Sequence, residues 1–462
     1  MPHEPHLHLM CHSFEVQTVK GLRRTWNRPD RVQPGPVLTA TEPWEGTSAL
    51  TWGTVHYDAA ARRFTMWYEA WNPEPDRPPP LDTPVCYAAS VDGIHWDKPN
   101  LGLWEWNGSR ANNITWMMRG TGDWNYLDSP RVFVEPKAPA SERYKMVIYT
   151  RPIPVRRQAF FVLTSPDGTH WTWRDEPFLT DSGDRFQCVY DDRRREYWLT
   201  TRRRWIQQDR RADPARPGIR TVEGWRSPDL KTWSDPRHLL KPDDADPPEQ
   251  EFYSLYPWTA GNGYLGFLEV YDRFVERLHA ELIVSDDGDH WERPHRVPWL
   301  DRGTDGAWDD MWVFPASNDP LVVDDRMLVF YGGRETAHPG RRHPMRPVRA
   351  SVGLLWFGRD RYGALTVGQD GGEFVTEAYR VGGDRLTVNA DAEFGDVRIA
   401  LLAPDGGPLE GFRHEDADQI AVDGVDTAVT WRGSGTLGAL RDRPVRLHVK
   451  AARASVYAFR FV

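Results

Sequence analysis

The chain of 462 residues is long enough for roughly two to three domains with a substantial buried core. Its formal net charge of −9 argues against a nucleic-acid groove, which needs clustered basic residues. No apolar stretch approaches the length of a membrane span, and the amino terminus has no apolar signal core, so we expect a cytoplasmic protein without membrane partners. The three cysteines (Cys11, Cys86 and Cys188) form no disulfide framework, which fits a reducing compartment.

Residues 1–50 are rich in proline, which prevents long helices, and they predict an irregular lead-in. A turn motif then recurs four times, at intervals of 75, 62 and 58 residues, with Ser, Asp and Trp at constant spacing: Ser90–Trp96, Ser165–Trp171, Ser227–Trp233 and Ser285–Trp291. Ser-x-Asp-Gly is typical of a tight turn, because Asp caps its own backbone and Gly accepts a positive φ. Each copy follows an apolar run, which predicts a repeated strand–turn–strand unit.

A fifth unit is degenerate. Residues 320–331 contain two predicted strands, residues 350–356 contain a third, and Asp360 lies where the turn motif would be. Short alternating strands separated by Asp, Gly and Pro turns are typical of four-stranded blades. The sequence therefore predicts an all-β chain in which residues 1–368 form a five-bladed β-propeller.

Residues 373–462 lack the turn motif. They contain five short predicted strands separated by turn residues such as Pro404–Gly407. This pattern predicts a C-terminal β-sandwich domain. We expect the sandwich to buttress the propeller or to mediate formation of a homo-oligomer.

The five units and the sandwich together resemble the five-bladed propeller glycoside hydrolases of the fructofuranosidase and arabinofuranosidase class, over almost the whole chain. Leu127-Asp-Ser-Pro-Arg-Val-Phe133 is similar to the Asp-Pro segment that opens the second blade there, whose Asp stabilises the transition state. Leu127 stands where that class often has Arg, and Ser129 separates Asp from Pro. The Trp-Met-Asn-Asp-Pro-Asn-Gly motif of the fructosidase branch is absent, so activity on sucrose is not implied. The resemblance implies a glycosidase acting on a terminal furanoside.

Glycoside hydrolysis uses two carboxyl groups that flank the scissile bond. In a propeller the first residues of each innermost strand face the central cavity, so acids just before these strands are the candidates. We predict Glu45 as nucleophile or base, Asp128 as transition-state stabiliser and Glu251 as general acid. Aromatic neighbours of Glu251 would raise its pKa by desolvation. Asp184 is an alternative candidate for the general acid, because the resemblance implies that the general acid often lies in blade three.

Further residues near the starts of innermost strands are candidates for sugar binding by ring stacking or hydrogen bonding, and a core or surface role is an open alternative for each of them. These candidates are Trp52, Arg131, Asp184, Trp258, Trp308, Asp309 and His338. The acids of the repeated turn, Asp92, Asp167, Asp229 and Asp287, are instead predicted to be structural.

No His-Glu-x-x-His, Cys-x-x-Cys or phosphate-loop motif is present, and no cofactor is expected. The resemblance implies that the central channel could hold a single Ca²⁺ or Na⁺ through oxygen ligands. Three alternatives stay open: a non-catalytic carbohydrate-binding propeller, a sialidase-like enzyme, and an enzyme that transfers the sugar to phosphate or to another sugar.

Overall fold

The computed structural model describes residues 6–70, 83–117, 127–135, 137–150, 159–174, 176–180, 183–205, 218–337 and 349–462. Within these ranges the regular structure is β-strand, apart from four three-residue 3-10 turns at Ser13–Glu15, Pro43–Glu45, Ala140–Glu142 and Gly438–Leu440. This confirms the predicted all-β class. No helix in the described part of the chain is long and apolar enough to cross a membrane.

The predicted lead-in contains four strands, which are β1 (Leu7–Leu9), β2 (Val16–Lys20), β3 (Arg23–Trp26) and β4 (Asp30–Arg31). The first three pair with strands near the other end of the chain, and β4 pairs with a propeller strand. The prediction of an irregular segment was wrong because the pairing partners lie hundreds of residues away, which leaves little local signal.

Five groups of antiparallel strands follow, and one parallel pair joins the last two groups into a single sheet. The first two contain β5 (Ala49–Asp58), β6 (Arg63–Ala70), β7 (Val85–Ser90) and β8 (Ile114–Trp116), then β9 (Leu127–Val134), β10 (Tyr144–Thr150), β11 (Ala159–Ser165), β12 (Thr172–Trp173) and β13 (Leu179–Thr180). The third contains β14 (Phe186–Asp191), β15 (Glu196–Trp205), β16 (Ile219–Ser227) and β17 (Arg237–Leu240). The last two contain β18 (Gln250–Ala260), β19 (Gly263–Asp272) and β20 (Arg277–Ser285), then β21 (Trp312–Pro315), β22 (Leu321–Val323), β23 (Arg326–Arg334) and β24 (Ala350–Gly358).

These five groups of strands are the predicted blades. The innermost strands β5, β9, β14 and β18 contact one another in sequence order, and β23 and β24 of the fifth blade contact β5 of the first, which closes the ring. The outer edge of the fifth blade is β4, so the amino-terminal segment completes the blade formed last in sequence. A ring closed in this way leaves few exposed strand edges.

The repeated turns have the predicted structural role. In the first copy the Ser90 hydroxyl accepts the N–H of Gly93 at 2.9 Å, and the Asp92 carboxylate accepts the N–H groups of Ile94 and His95, both at 2.8 Å. The Trp96 indole then donates to the carbonyl of Gly93 at 3.0 Å. The other three copies repeat the Ser and Asp bonds.

The carboxy-terminal domain is a sandwich of two sheets. Its strands are β25 (Gly363–Val367), β26 (Gly372–Thr376), β27 (Tyr379–Arg380), β28 (Leu386–Asp391), β29 (Asp396–Leu402), β30 (Asp423–Ala428), β31 (Pro444–Ala452) and β32 (Ala454–Phe461). One sheet has the order β3-β25-β32-β28-β30 with β1 beside β32, and the other contains β2, β26, β31, β29 and β27. The sandwich therefore also includes β1–β3 and β25, which lie outside the predicted range 373–462.

Candidate functional site

Several candidate side chains lie on the face of the propeller at which the innermost strands begin, which we call the upper face. In each antiparallel pair the end of the second strand lies beside the start of the first, as for Leu50 and Glu69 in the first blade. The upper face therefore collects residues from strand starts and from strand ends.

A pair of buried carboxyl groups, Glu69 and Asp128, lies at the boundary between the first two blades. Ser129 links them, because its backbone N–H donates to Glu69 Oε2 at 3.1 Å and its hydroxyl donates to Asp128 Oδ1 at 2.5 Å. Burial and the nearby Asp128 carboxylate raise the pKa of Glu69 well above its usual value, although the Ser129 N–H and Arg185 oppose the shift. Glu69 is therefore the carboxyl group that is suited to carry a proton at neutral pH.

A β-bulge produces this arrangement. Asp128 pairs with Tyr149 and Arg131 with Val147, so two residues of β9 lie opposite one residue of β10. Ser129 is one of these two, and its φ of +55° is unusual for a residue with a side chain. Bulges turn the side chains of a strand and are frequent at functional sites.

Arg185 extends the site toward the fourth blade. It is buried, and it binds Glu269 through two of its nitrogens, with Nε 3.2 Å from Oε2. Its Nη1 donates to the Ser129 hydroxyl at 3.5 Å. The guanidinium group lies over the ring of Trp52 at 5.4 Å from the centroid. The predicted sugar-binding residue Trp52 is thus at the upper face, with Arg185 against its ring.

Ion pairs continue around this face. Arg202 pairs with Asp184 and lies over the Tyr253 ring at 4.0 Å. Glu251 pairs with Arg220 through Oε2 and with Arg273, 3.3 Å away, through Oε1.

Electrostatic attraction connects these pairs to the carboxyl pair. Arg202 is attracted by Asp128 as well as by Asp184, and Asp184 is in turn attracted by Arg220. The structure therefore brings the predicted residues Asp128, Asp184 and Glu251 into one network. Guanidinium groups occupy both oxygens of Glu251, so the predicted role of general acid does not suit its surroundings.

Glu45 is not part of this network. Its carboxylate accepts two backbone N–H groups of its own turn, at 2.7 and 2.9 Å, the Lys98 ammonium at 2.7 Å, and the Tyr68 hydroxyl. Tyr68 and Glu69 are neighbours in β6 and point to opposite sides of the strand. Glu45 therefore lies across β6 from the carboxyl pair, which contradicts the predicted common site of Glu45 with Asp128.

Arg131 ties the blades together at the centre of the propeller. It is buried, and it donates to the carbonyl of Cys188 at 2.8 Å, to the Thr54 hydroxyl at 3.1 Å and to the Tyr256 hydroxyl at 3.1 Å. Tyr256 in turn donates to Asp319 at 2.9 Å. These contacts connect all five blades, so the predicted binding of sugar hydroxyls by Arg131 gives way to a structural role.

Two other predicted sugar-binding residues hold the amino-terminal segment. Asp309 is buried and accepts hydrogen bonds from Arg31 and, at 3.0 Å, from the Tyr331 hydroxyl. The Trp308 indole donates to the carbonyl of Pro34 at 3.2 Å. Both residues therefore fix the segment around β4 against the fifth blade instead of facing a substrate.

Trp258 is buried in the core, with its ring centroid 4.7 Å from that of Phe267, so it cannot stack on a substrate. His338 lies outside the described residues. Within the described ranges, no group of three or more His, Cys, Asp or Glu side chains is placed to hold a metal ion.

Glu69 and Glu269 are not among the predicted site residues, because the prediction was restricted to acids at the starts of innermost strands. A signal existed: the second strand of the first unit ends near Glu69 and that of the fourth unit near Glu269. In an antiparallel pair these positions lie beside the start of the innermost strand.

No protein-family model and no curated protein matches this chain. Solved structures resemble it at the level of the backbone. An N-acetylgalactosamine deacetylase from F. plautii is 16% identical with a TM-score of 0.46, covering 78% of this chain and 95% of its own. A beta-1,2-mannobiose phosphorylase from Listeria innocua is 13% identical with a TM-score of 0.49, covering 71% and 96%. A glycosyl hydrolase from Bacteroides ovatus is 14% identical with a TM-score of 0.48, covering 73% and 95%. Similarity this low says nothing about the reaction or substrate of this chain.

Proposed function

We propose that the protein is a glycosidase whose active site is the upper face of the propeller. Glu69 is the general acid and Asp128 is the ionised carboxylate that stabilises the positively charged transition state. The observation that carries this proposal is the buried pair itself, in which burial and Asp128 raise the pKa of Glu69 while Asp128 accepts the Ser129 hydroxyl. Two carboxyl groups with opposite protonation states are what glycosidic bond cleavage requires.

The chemistry follows from these positions. Glu69 donates its proton to the oxygen of the leaving group as the glycosidic bond breaks. The charge that develops on the sugar ring is balanced by Asp128, and water then adds to the anomeric carbon and returns a proton to Glu69. Arg185 is held by Glu269 and keeps Ser129 in place, so the carboxyl groups are oriented before substrate binds. The proposed substrate is a terminal furanoside, supported by the resemblance of the Leu127–Phe133 segment.

A second candidate keeps the same acid and uses inorganic phosphate, in place of water, as the attacking group. It is favoured by Arg202, whose Nη1 is buried and has no hydrogen-bond partner among the described residues. A guanidinium N–H of this kind is suited to bind an oxyanion. Product analysis in phosphate and in phosphate-free buffer distinguishes a sugar phosphate from a free sugar.

The decisive experiment compares Glu69→Gln and Asp128→Asn on aryl furanosides and aryl pyranosides. With a phenyl leaving group that needs protonation, we expect Glu69→Gln to lower kcat about 100- to 10,000-fold. With dinitrophenol as leaving group the loss should be small, because this group leaves without a proton. Asp128→Asn should be impaired on both substrates.

The matched control is Glu45→Gln, which loses stability with its carboxylate but, assayed at a temperature at which it is folded, should turn over both substrates like the wild-type protein. Equal activity of Glu69→Gln and wild type on the phenyl glycosides would contradict the assignment of the acid. A wild-type protein that binds sugars tightly and cleaves none of the panel would instead support a carbohydrate-binding module.

A further inference from the structure

We propose that Ser129 is a positioning residue that decides which carboxyl group of the site keeps the proton. The inference rests on the proposed pair of Glu69 and Asp128. Ser129 donates to both partners with different groups, namely its backbone N–H to Glu69 and its hydroxyl to Asp128. The side chain therefore acts on one carboxyl group only.

The hydrogen of the Ser129 hydroxyl has a defined direction. Arg185 donates to the hydroxyl oxygen at 3.5 Å, so the single hydroxyl hydrogen is directed to Asp128 Oδ1 at 2.5 Å. A hydroxyl that donates to a carboxylate favours the ionised form of the acid. Loss of this donor should therefore raise the pKa of Asp128.

The backbone conformation supports a functional reason for serine. A φ of +55° is a left-handed conformation in which glycine has the lowest cost. Ser129 is also completely buried. A buried residue with a side chain in this conformation is unfavourable unless the side chain makes a contact that glycine cannot make, and the bond to Asp128 is such a contact.

Two cations lie beside the carboxyl pair, and each of them is also paired with another acid. Arg185 faces Glu69, and its charge is balanced by Glu269. Arg202 attracts Asp128, and its charge is shared with Asp184. Both cations are thus compensated within the network, whereas the hydroxyl of Ser129 is a donor directed to Asp128.

The test follows the protonation of Asp128 directly and needs no substrate. In the Glu69→Gln protein, the infrared carbonyl band of protonated carboxyl groups is measured as a function of pH. The spectrum of the Glu69→Gln/Asp128→Asn protein at the same pH is subtracted, so that Asp128 dominates the difference spectrum. Ser129→Gly and Ser129→Ala are then added to Glu69→Gln. Glycine also relieves the backbone, so it provides a folded variant if alanine does not fold.

We expect both Ser129 substitutions to raise the titration midpoint of Asp128 by about one pH unit or more, the effect of losing one hydrogen bond to a charged acceptor. The control, Ser317→Ala, removes another buried hydroxyl of the propeller, which donates to the carbonyl of Trp52 at 3.2 Å, and should leave the midpoint unchanged. An unchanged midpoint in both Ser129 variants would overturn the inference.

The same spectra separate this inference from the proposed function. If Glu69 is the acid, the wild-type protein has a protonated carboxyl band at neutral pH that is lost in Glu69→Gln. Absence of such a band would refute Glu69 as the acid. The effect of Ser129 on Asp128 would still be measured in the Glu69→Gln background. If Glu69 carries the proton and both Ser129 variants leave the Asp128 midpoint unchanged, only the role of Ser129 fails.

Discussion

Replacement of Arg131 by methionine should destabilise the propeller without touching the carboxyl pair. The guanidinium group makes three hydrogen bonds to other blades, at 2.8, 3.1 and 3.1 Å. A bond to a charged group contributes about 1.5–3 kcal/mol, and the cost of burying the cation, several kcal/mol, offsets part of the total. We therefore expect Arg131→Met to lower the free energy of unfolding by about 3 kcal/mol.

The assay is equilibrium unfolding in urea, followed by tryptophan fluorescence and by circular dichroism so that the coincidence of the two transitions can be checked. Arg131→Lys keeps the charge but has fewer donors in a different geometry, so its midpoint should lie between those of wild type and Arg131→Met. Arg131 and the exposed Arg195 both line a cavity of about 1420 Å³. The control Arg195→Met should therefore change the free energy of unfolding by no more than about 0.5 kcal/mol. If Arg131→Met unfolds like wild type and loses sugar affinity, the reasoning is refuted and the role in substrate binding is restored.

Glu45→Ala should lower the free energy of unfolding by about 3–5 kcal/mol, because it removes the buried carboxylate that accepts two backbone N–H groups and the partly buried Lys98 ammonium; an unchanged urea midpoint would disprove this anchoring role. Asp167 tests the turns: partial burial raises its pKa, but the N–H groups of His170 and Thr169 hold the pKa well below the usual value. The contribution of Asp167 to stability is therefore present above about pH 4 and is lost as the pH falls below that value. On acidification, the urea midpoint of Asp167→Asn should fall less than that of the wild-type protein. Asp309→Asn should weaken the attachment of the amino-terminal segment to the fifth blade, which limited proteolysis would detect as faster cleavage before residue 40, with equal cleavage rates counting against the attachment.

The blades could be predicted because their determinants are close together in the sequence. In the turn at Ser165 the hydroxyl and the Asp167 carboxylate bind backbone groups two or three residues away. Such bonds depend on residue type and spacing alone. The amino-terminal strands could not be predicted in the same way, because β2 acquires its partner only when β26, more than 300 residues later, lies beside it.

In the candidate site, too, one residue could be predicted from its neighbours in the sequence and others could not. Asp128 was predicted correctly from its own sequence segment. Glu45 was wrongly chosen and Glu69 was missed, because the position of each relative to the site depends on the direction of side chains in and around β6. That direction is visible only when the register of the sheet is known. Ser129 and Glu69 are 60 residues apart in the chain, and Arg185 and Glu269 are 84 apart.

By itself the sequence determined most strands of the blades, their turns, the number of blades and a set of candidate acids. Only the tertiary structure decided which acids meet: it placed Glu69 with Asp128, and it separated Glu45 from both. The physical reason is that consecutive side chains of a strand point to opposite faces, so a change of one residue in register, or the bulge at Ser129, exchanges the side chains that share a site.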